Sequence, residues 1–141
     1  MRAASAGILA LCLCCALGCG GGTELAEVSG TVKLDGDLIE EGAIQFIPID
    51  GTTGPSAGSD IKEGKYHIAH TKGVVVGKNR VELRAFRKSG KMVADATGPA
   101  GAKTEERIQV FPPEYNVESK EVREVKPGSN TIDFDVKVKG K

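Results

Sequence analysis

The sequence has no tryptophan, only two histidines, and four cysteines that all fall in its first nineteen residues, Cys12, Cys14, Cys15 and Cys19. Beyond Cys19 there is no thiol, which excludes disulfide stapling, thiol catalysis and cysteine-ligated zinc from the rest of the chain. The two histidines, His67 and His70, are three residues apart. On a strand that spacing sends them to opposite faces, so they cannot converge on one ion unless the strand ends between them. A metal site needs several converging ligands, and neither a metal nor another cofactor is expected. An excess of one charge is also missing: 19 basic residues face 19 acidic ones, with no basic stripe, so no nucleic-acid partner is expected. Neither a Gly-x-Ser-x-Gly elbow nor a His-Glu-x-x-His pair occurs, and no catalytic residues are expected.

What is present begins with Met1-Arg2 and a run over residues 3–17 that is apolar apart from Ser5 and Gly7. This is the length of a signal-peptide core and short of the roughly 20 apolar residues of a membrane-spanning helix. The run ends in Ala16-Leu17-Gly18-Cys19, which resembles a bacterial lipobox, although Ala16 stands where leucine is usual. The resemblance implies removal of residues 1–18, acylation of Cys19, and a mature protein held outside the cytoplasm on the outer membrane or cell surface. Residues 19–27 are small and polar with two carboxylates and read as a flexible tether. Residues 28–139 then form one domain, long enough to bury well over half of its unfolded surface.

In that domain the apolar period is two, punctuated by glycine, which predicts strands and turns. Val28, Gly30, Val32 and Leu34 alternate with Ser29, Thr31 and Lys33 as one half-buried strand. Asp35-Gly36 supplies a tight hairpin turn, and residues 42–49 return with Ile44 and Phe46 on one face and Ile47 and Ile49 on the other. Residues 50–59 read as a loop and 60–64 as a turn. Tyr66 and Ile68 share a face opposite His67 and Ala69, residues 73–77 read as a second turn, and Val81, Leu83 and Ala85 point inward with Arg80, Glu82 and Arg84 outward. Residues 88–106, rich in Gly, Ala and Lys, read as a long excursion, mobile or a loose hairpin. Residues 107–111 form a short strand stopped by Pro112-Pro113. The last strand covers 131–139, with Ile132, Phe134, Val136 and Val138 inward.

At least six short strands and no helical period predict an all-β, antiparallel two-layer sandwich. Gly30-Thr31-Val32, Asp35-Gly36, Glu41-Gly42-Ala43, Phe46-Ile47-Pro48, Gly64-Lys65-Tyr66 and the run from Val76 to Val81 resemble the carboxypeptidase regulatory-like, transthyretin-like domain. Phe111-Pro112-Pro113-Glu114-Tyr115-Asn116 and the run from Val125 to Asp135 are similar to the end of small surface lipoproteins carrying that domain. The resemblance implies a Greek-key, prealbumin-like sandwich and a non-enzymatic module. Leu38 stands where the family often has proline. Transthyretin-like relatives include a hydrolase of 5-hydroxyisourate that ends in Tyr-Arg-Gly-Ser, whereas this sequence ends Val138-Lys139-Gly140-Lys141.

Other candidate sites reduce to structure. Asp35-Gly36-Asp37 and Asp133-Phe134-Asp135 look like calcium fragments, but Ile39 occupies an offset where a calcium loop needs oxygen. Among the aromatics, Phe46, Tyr66 and Phe134 fall in the inward phase, which leaves Phe86 and Tyr115 as candidates for exposure. Tyr115 is the candidate ligand-binding residue, although a tyrosine following two prolines is also suited to plugging one end of a sandwich with its hydroxyl bonded to backbone. The sequence thus points to a lipid-anchored structural or protein-interaction module of the cell envelope, contacting the membrane through Cys19 and an envelope protein along an edge strand or through residues 88–106. The alternative is a carbohydrate-binding module with an envelope polysaccharide as partner.

Overall fold

The computed structural model describes residues 22–138. Cys19, the lipobox and the signal segment lie outside the described residues, as does Lys139. The described chain is all-β and mostly antiparallel. Its strands are β1 (Leu25–Leu34), β2 (Asp37–Leu38), β3 (Glu41–Pro48), β4 (Ala57–Lys62), β5 (Lys65–Ile68), β6 (Val74–Val75), β7 (Gly77–Ala94), β8 (Lys103–Gln109), β9 (Val122–Val125), β10 (Ser129–Thr131) and β11 (Phe134–Val136). The strand order is β10-β1-β5-β4-β3-β7-β8, with β2, β6 and β11 also on β1 and β9 on β7.

Strand β1 organises the fold because its period-two pattern buries Ala26, Val28 and Val32 completely. Its first half pairs with β6, β5 and β10 and its second half with β2 and β11. The turn after it holds Asp35 and Gly36 at φ 54° and 93°, the left-handed pair that a two-residue hairpin demands. The β4–β5 turn repeats the device with Glu63 and Gly64 at φ 49° and 74°.

Several expectations change. The last strand is two pieces, and both run parallel to β1, so the sheet is mixed rather than wholly antiparallel. The break falls at Ile132–Asp133, where the Asp133 carboxylate accepts from the Thr31 backbone N–H at 2.7 Å and the Thr31 hydroxyl at 2.9 Å. Gly30 permits the close approach, since a Cβ there would run into the Ile132 carbonyl. Val138 is exposed rather than inward, its N–H donating to the Asp35 carboxylate at 2.9 Å.

Ordered chain also begins earlier than expected, with β1 starting at Leu25 and Ala26 fully buried. β4, Ala57–Lys62, takes residues 57–59 from the expected loop and 60–62 from the expected turn. Val74 and Val75 are buried and paired with β1 where a turn was expected. Residues 88–106 lie in or between β7 and β8, which pair from Phe86–Gln109 to Ala94–Lys103 with an irregularity between Lys88 and Met92. The excursion is a hairpin arm, continuous with the strand that crosses the body of the domain.

The core gathers the inward residues of β1, β3, β4, β5, β7, β9 and β11. Tyr66 sits between Phe46 and Phe134, ring centroids 6.3 and 6.4 Å away. Each fully buried large aliphatic or aromatic side chain contributes about 1.5–3 kcal/mol, and with no cysteine in the described part this burial carries the stability.

Candidate functional site

Strand β7 alternates as its sequence requires: Val81, Leu83 and Ala85 enter the core, and Arg80, Glu82 and Arg84 take the opposite face. That face is not uniformly wet. Glu82 is only 7% exposed, because the guanidinium groups on either side fold over it, Arg80 Nη2 donating to Oε1 at 3.2 Å and Arg84 Nη2 to Oε2 at 3.0 Å. Arg84 is fixed further by its Nε, which donates to Asn116 Oδ1 at 3.2 Å. A carboxylate taken out of water needs such partners. In return it holds the Arg84 head in one orientation while roughly half of that side chain stays in solvent.

Register places Arg84 in a row with Ala43 on β3 and Asp60 on β4, and Glu82 in a row with Gln45 and Gly58. Directly paired residues share a face. The small side chain of Ala43 and the missing one at Gly58 therefore leave a slot along β3, with β7 and β4 as its walls. Two adjoining depressions lie along it. One, of about 550 Å³, is lined by Gln45, Gly58, Asp60, Glu82 and Arg84 among others. The other, of about 270 Å³, is lined by Glu41, Gly42, Ala43, Arg84, Phe86 and Arg107. At this second end Phe86 is 51% exposed, and the Arg107 guanidinium lies 5.9 Å from its ring centroid, a cation–π arrangement. A third depression, of about 850 Å³, shares Ser59 and Asp60 with the first and continues past Lys65 and His67 to Thr31 and Asp133.

The floor strand β3 has no free backbone edge. β3 is hydrogen-bonded to β4 on one side and to β7 on the other, so what it offers is side chains on a rigid floor. Beside the third depression, Tyr66 is buried and donates its hydroxyl to the Ile132 carbonyl at 2.7 Å. Burial pushes its phenol well above the ordinary tyrosine range, the Asp133 charge adds to this, and Arg123 opposes it.

The residues singled out from sequence separate as follows. Tyr115 ends a single 3-10 turn, Pro113–Tyr115, and packs partly buried against the core. The tyrosine whose hydroxyl bonds to backbone is Tyr66. Phe86 is the exposed aromatic of the pair. β5 ends at Ile68, and His70 opens a 3-10 turn. Both histidines are exposed, and His67 Nε2 lies 3.3 Å from the Glu27 carboxylate. Asp35 and Asp133 are spent on backbone N–H groups. Among the described residues no group of three or more His, Cys, Asp or Glu side chains is placed to hold a metal ion, and no helix is long and apolar enough to cross a membrane.

Sequence reasoning missed the grouping of Arg84, Asp60, Ala43 and Asn116. One signal was available: Arg80, Glu82 and Arg84 occur at i, i+2 and i+4, which on a strand puts a carboxylate between two guanidinium groups on one face. Comparison with known proteins finds no matching family model and no matching curated protein.

Proposed function

We propose that the chain is a lipid-anchored, extracytoplasmic β-sandwich of the Greek-key, transthyretin-like kind, acting as a non-catalytic binding module of the cell envelope. The observation that carries the reading is the slot along β3, where a guanidinium fixed by Glu82 and Asn116 stands next to a half-exposed aromatic ring. Polar groups locked on a rigid sheet hold a partner without being reordered on binding. The mixed all-β architecture and the turn residues shared with carboxypeptidase regulatory-like domains support the fold assignment. The residues before Cys19 support the anchor, because several acyl chains, each worth about 0.8 kcal/mol per buried methylene, hold a protein far more firmly than a single chain does.

Two measurements test this. Labelled palmitate is incorporated by the wild type and not by Cys19→Ser, which moves to the soluble fraction; a wild type without label removes the anchor from the proposal. Crosslinking in intact cells captures an envelope protein or polysaccharide attached to the domain, and an absence of any attached species speaks against a binding module.

A further inference from the structure

We infer that the slot over β3 takes an uncharged oligosaccharide laid along the strand, an inference that rests on the reading of the chain as a binding module. The walls carry opposite charges. Arg84 on β7 faces Asp60 on β4 across Ala43, with backbones about 9.6 Å apart, two interstrand spacings. A hydroxyl both donates and accepts, so a ligand bearing several on opposite edges satisfies both walls at once.

The alternatives fit less well. A polyanion meets Asp60, Glu41 and Glu82, and a polycation meets Arg84 and Arg107, in the same slot. An extended peptide gains its affinity by adding to a free strand edge; β3 has none, and the far edge of β4, paired to β5 only at Lys62–Lys65, borders the third depression and not the slot. From Gln45 to Glu41 the floor runs about 14 Å, the reach of a short oligosaccharide. At the end of that run Phe86 presents its ring, an apolar surface suited to the C–H face of a sugar. Its neighbour Arg107 supplies donors to the hydroxyls around it.

The test uses the full chain in detergent, titrated calorimetrically and by thermal shift with cellohexaose, N-acetylchitohexaose and maltohexaose as uncharged probes, and with dextran sulfate and polylysine as charged ones. At least one uncharged hexasaccharide raises Tm in proportion to the logarithm of its concentration above Kd. Because no net charge is neutralised, its affinity changes less than about twofold between low and high salt. Phe86→Ala weakens binding between about two- and tenfold, the range of an aromatic contact of about 0.5–1.5 kcal/mol, and lowers the Tm of the free protein by no more than about 4 °C. Asp60→Ala weakens it as well.

Binding confined to dextran sulfate or polylysine and erased by salt overturns the inference. So does hexasaccharide affinity indifferent to both substitutions. If no hexasaccharide binds while proteins still crosslink to the domain in cells, the glycan assignment falls and the binding-module reading survives. If neither is seen, both fall.

Discussion

Tyr66→Phe isolates one hydroxyl, because Tyr66 is 4% exposed and its ring is held between Phe46 and Phe134. The substitution keeps ring and volume and removes only the bond to the Ile132 carbonyl, 2.7 Å long. A hydrogen bond of this kind contributes about 0.5–1.5 kcal/mol net, and the carbonyl left short of a donor adds to the loss. We expect a destabilisation of about 1–2 kcal/mol near neutral pH, or a Tm lower by about 4–8 °C for a domain of this size. The same hydroxyl makes stability depend on pH in a definite direction. The folded-state phenol titrates above its unfolded value, near 10. Its contribution is therefore complete below pH about 10 and is lost as pH rises beyond that, by up to about 1.4 kcal/mol per unit. Urea unfolding of wild type and variant from pH 8 to pH 11.5, extrapolated linearly, should give two curves that converge as the wild type alone loses this contribution. Other titrating groups are common to both proteins and cancel. A gap that stays constant with pH, or no gap at pH 8, would refute the placement of Tyr66 and its partner.

Phe134→Ala should cost about 3–5 kcal/mol, since Phe134 is 3% exposed and Arg123 lies 5.0 Å over its ring. Asp135→Ala should change stability by less than about 0.5 kcal/mol, its ion pair with Lys137 being half in solvent; equal effects in denaturant titrations would mean that the phase of β11 is wrong. At the tip of the arm, Thr97 donates its backbone N–H and its hydroxyl to Asp95 at 2.9 and 2.8 Å and holds that carboxyl below the usual Asp range. The ordering this gives the turn is present above the ordinary Asp value and lost as pH falls through the depressed one. An NMR titration should find the Asp95 midpoint low in the wild type and closer to ordinary in Thr97→Val; a wild-type midpoint at or above the ordinary value counts against the turn.

Strand phase was the most legible property of the sequence. The alternation at Val28 to Val32, at Tyr66 and Ile68, and at Val81 to Ala85 reports which side is buried, and burial of these residues is what the sheet supplies. Asp35-Gly36 announced its turn because few residue pairs accept two left-handed conformations in succession. Val74-Val75 was not legible: three valines between Gly73 and Gly77 carry no period, and only pairing with β1, some fifty residues away, makes two of them a strand. The parallel run of the C-terminal pieces was hidden for a related reason. Thr131 to Val136 alternates well enough for one strand, and the break comes from the long-range bond between Thr31 and Asp133. The slot was the least legible feature, because Arg84 and Asp60 become opposite walls only through the registers of β7 and β4 with β3. No local pattern encodes two registers at once.

The position of β1 bears on how the protein responds to force. A pull entering from the N-terminal side, as in a molecule held by a lipid on Cys19, reaches the described fold at the start of β1. That strand is flanked by β5 over Val28–Ile68 to Thr31–Lys65 and by β10 and then β11 on its parallel side. Interstrand hydrogen bonds lie across the strand direction or slanted to it, so tension along β1 shears the flanking ladders together instead of unzipping them pair by pair. Shear loading spreads the load over many bonds and raises the barrier that sets the rate of forced unfolding. Force entering at this end is carried by the strand that pairs with five others, β2, β5, β6, β10 and β11.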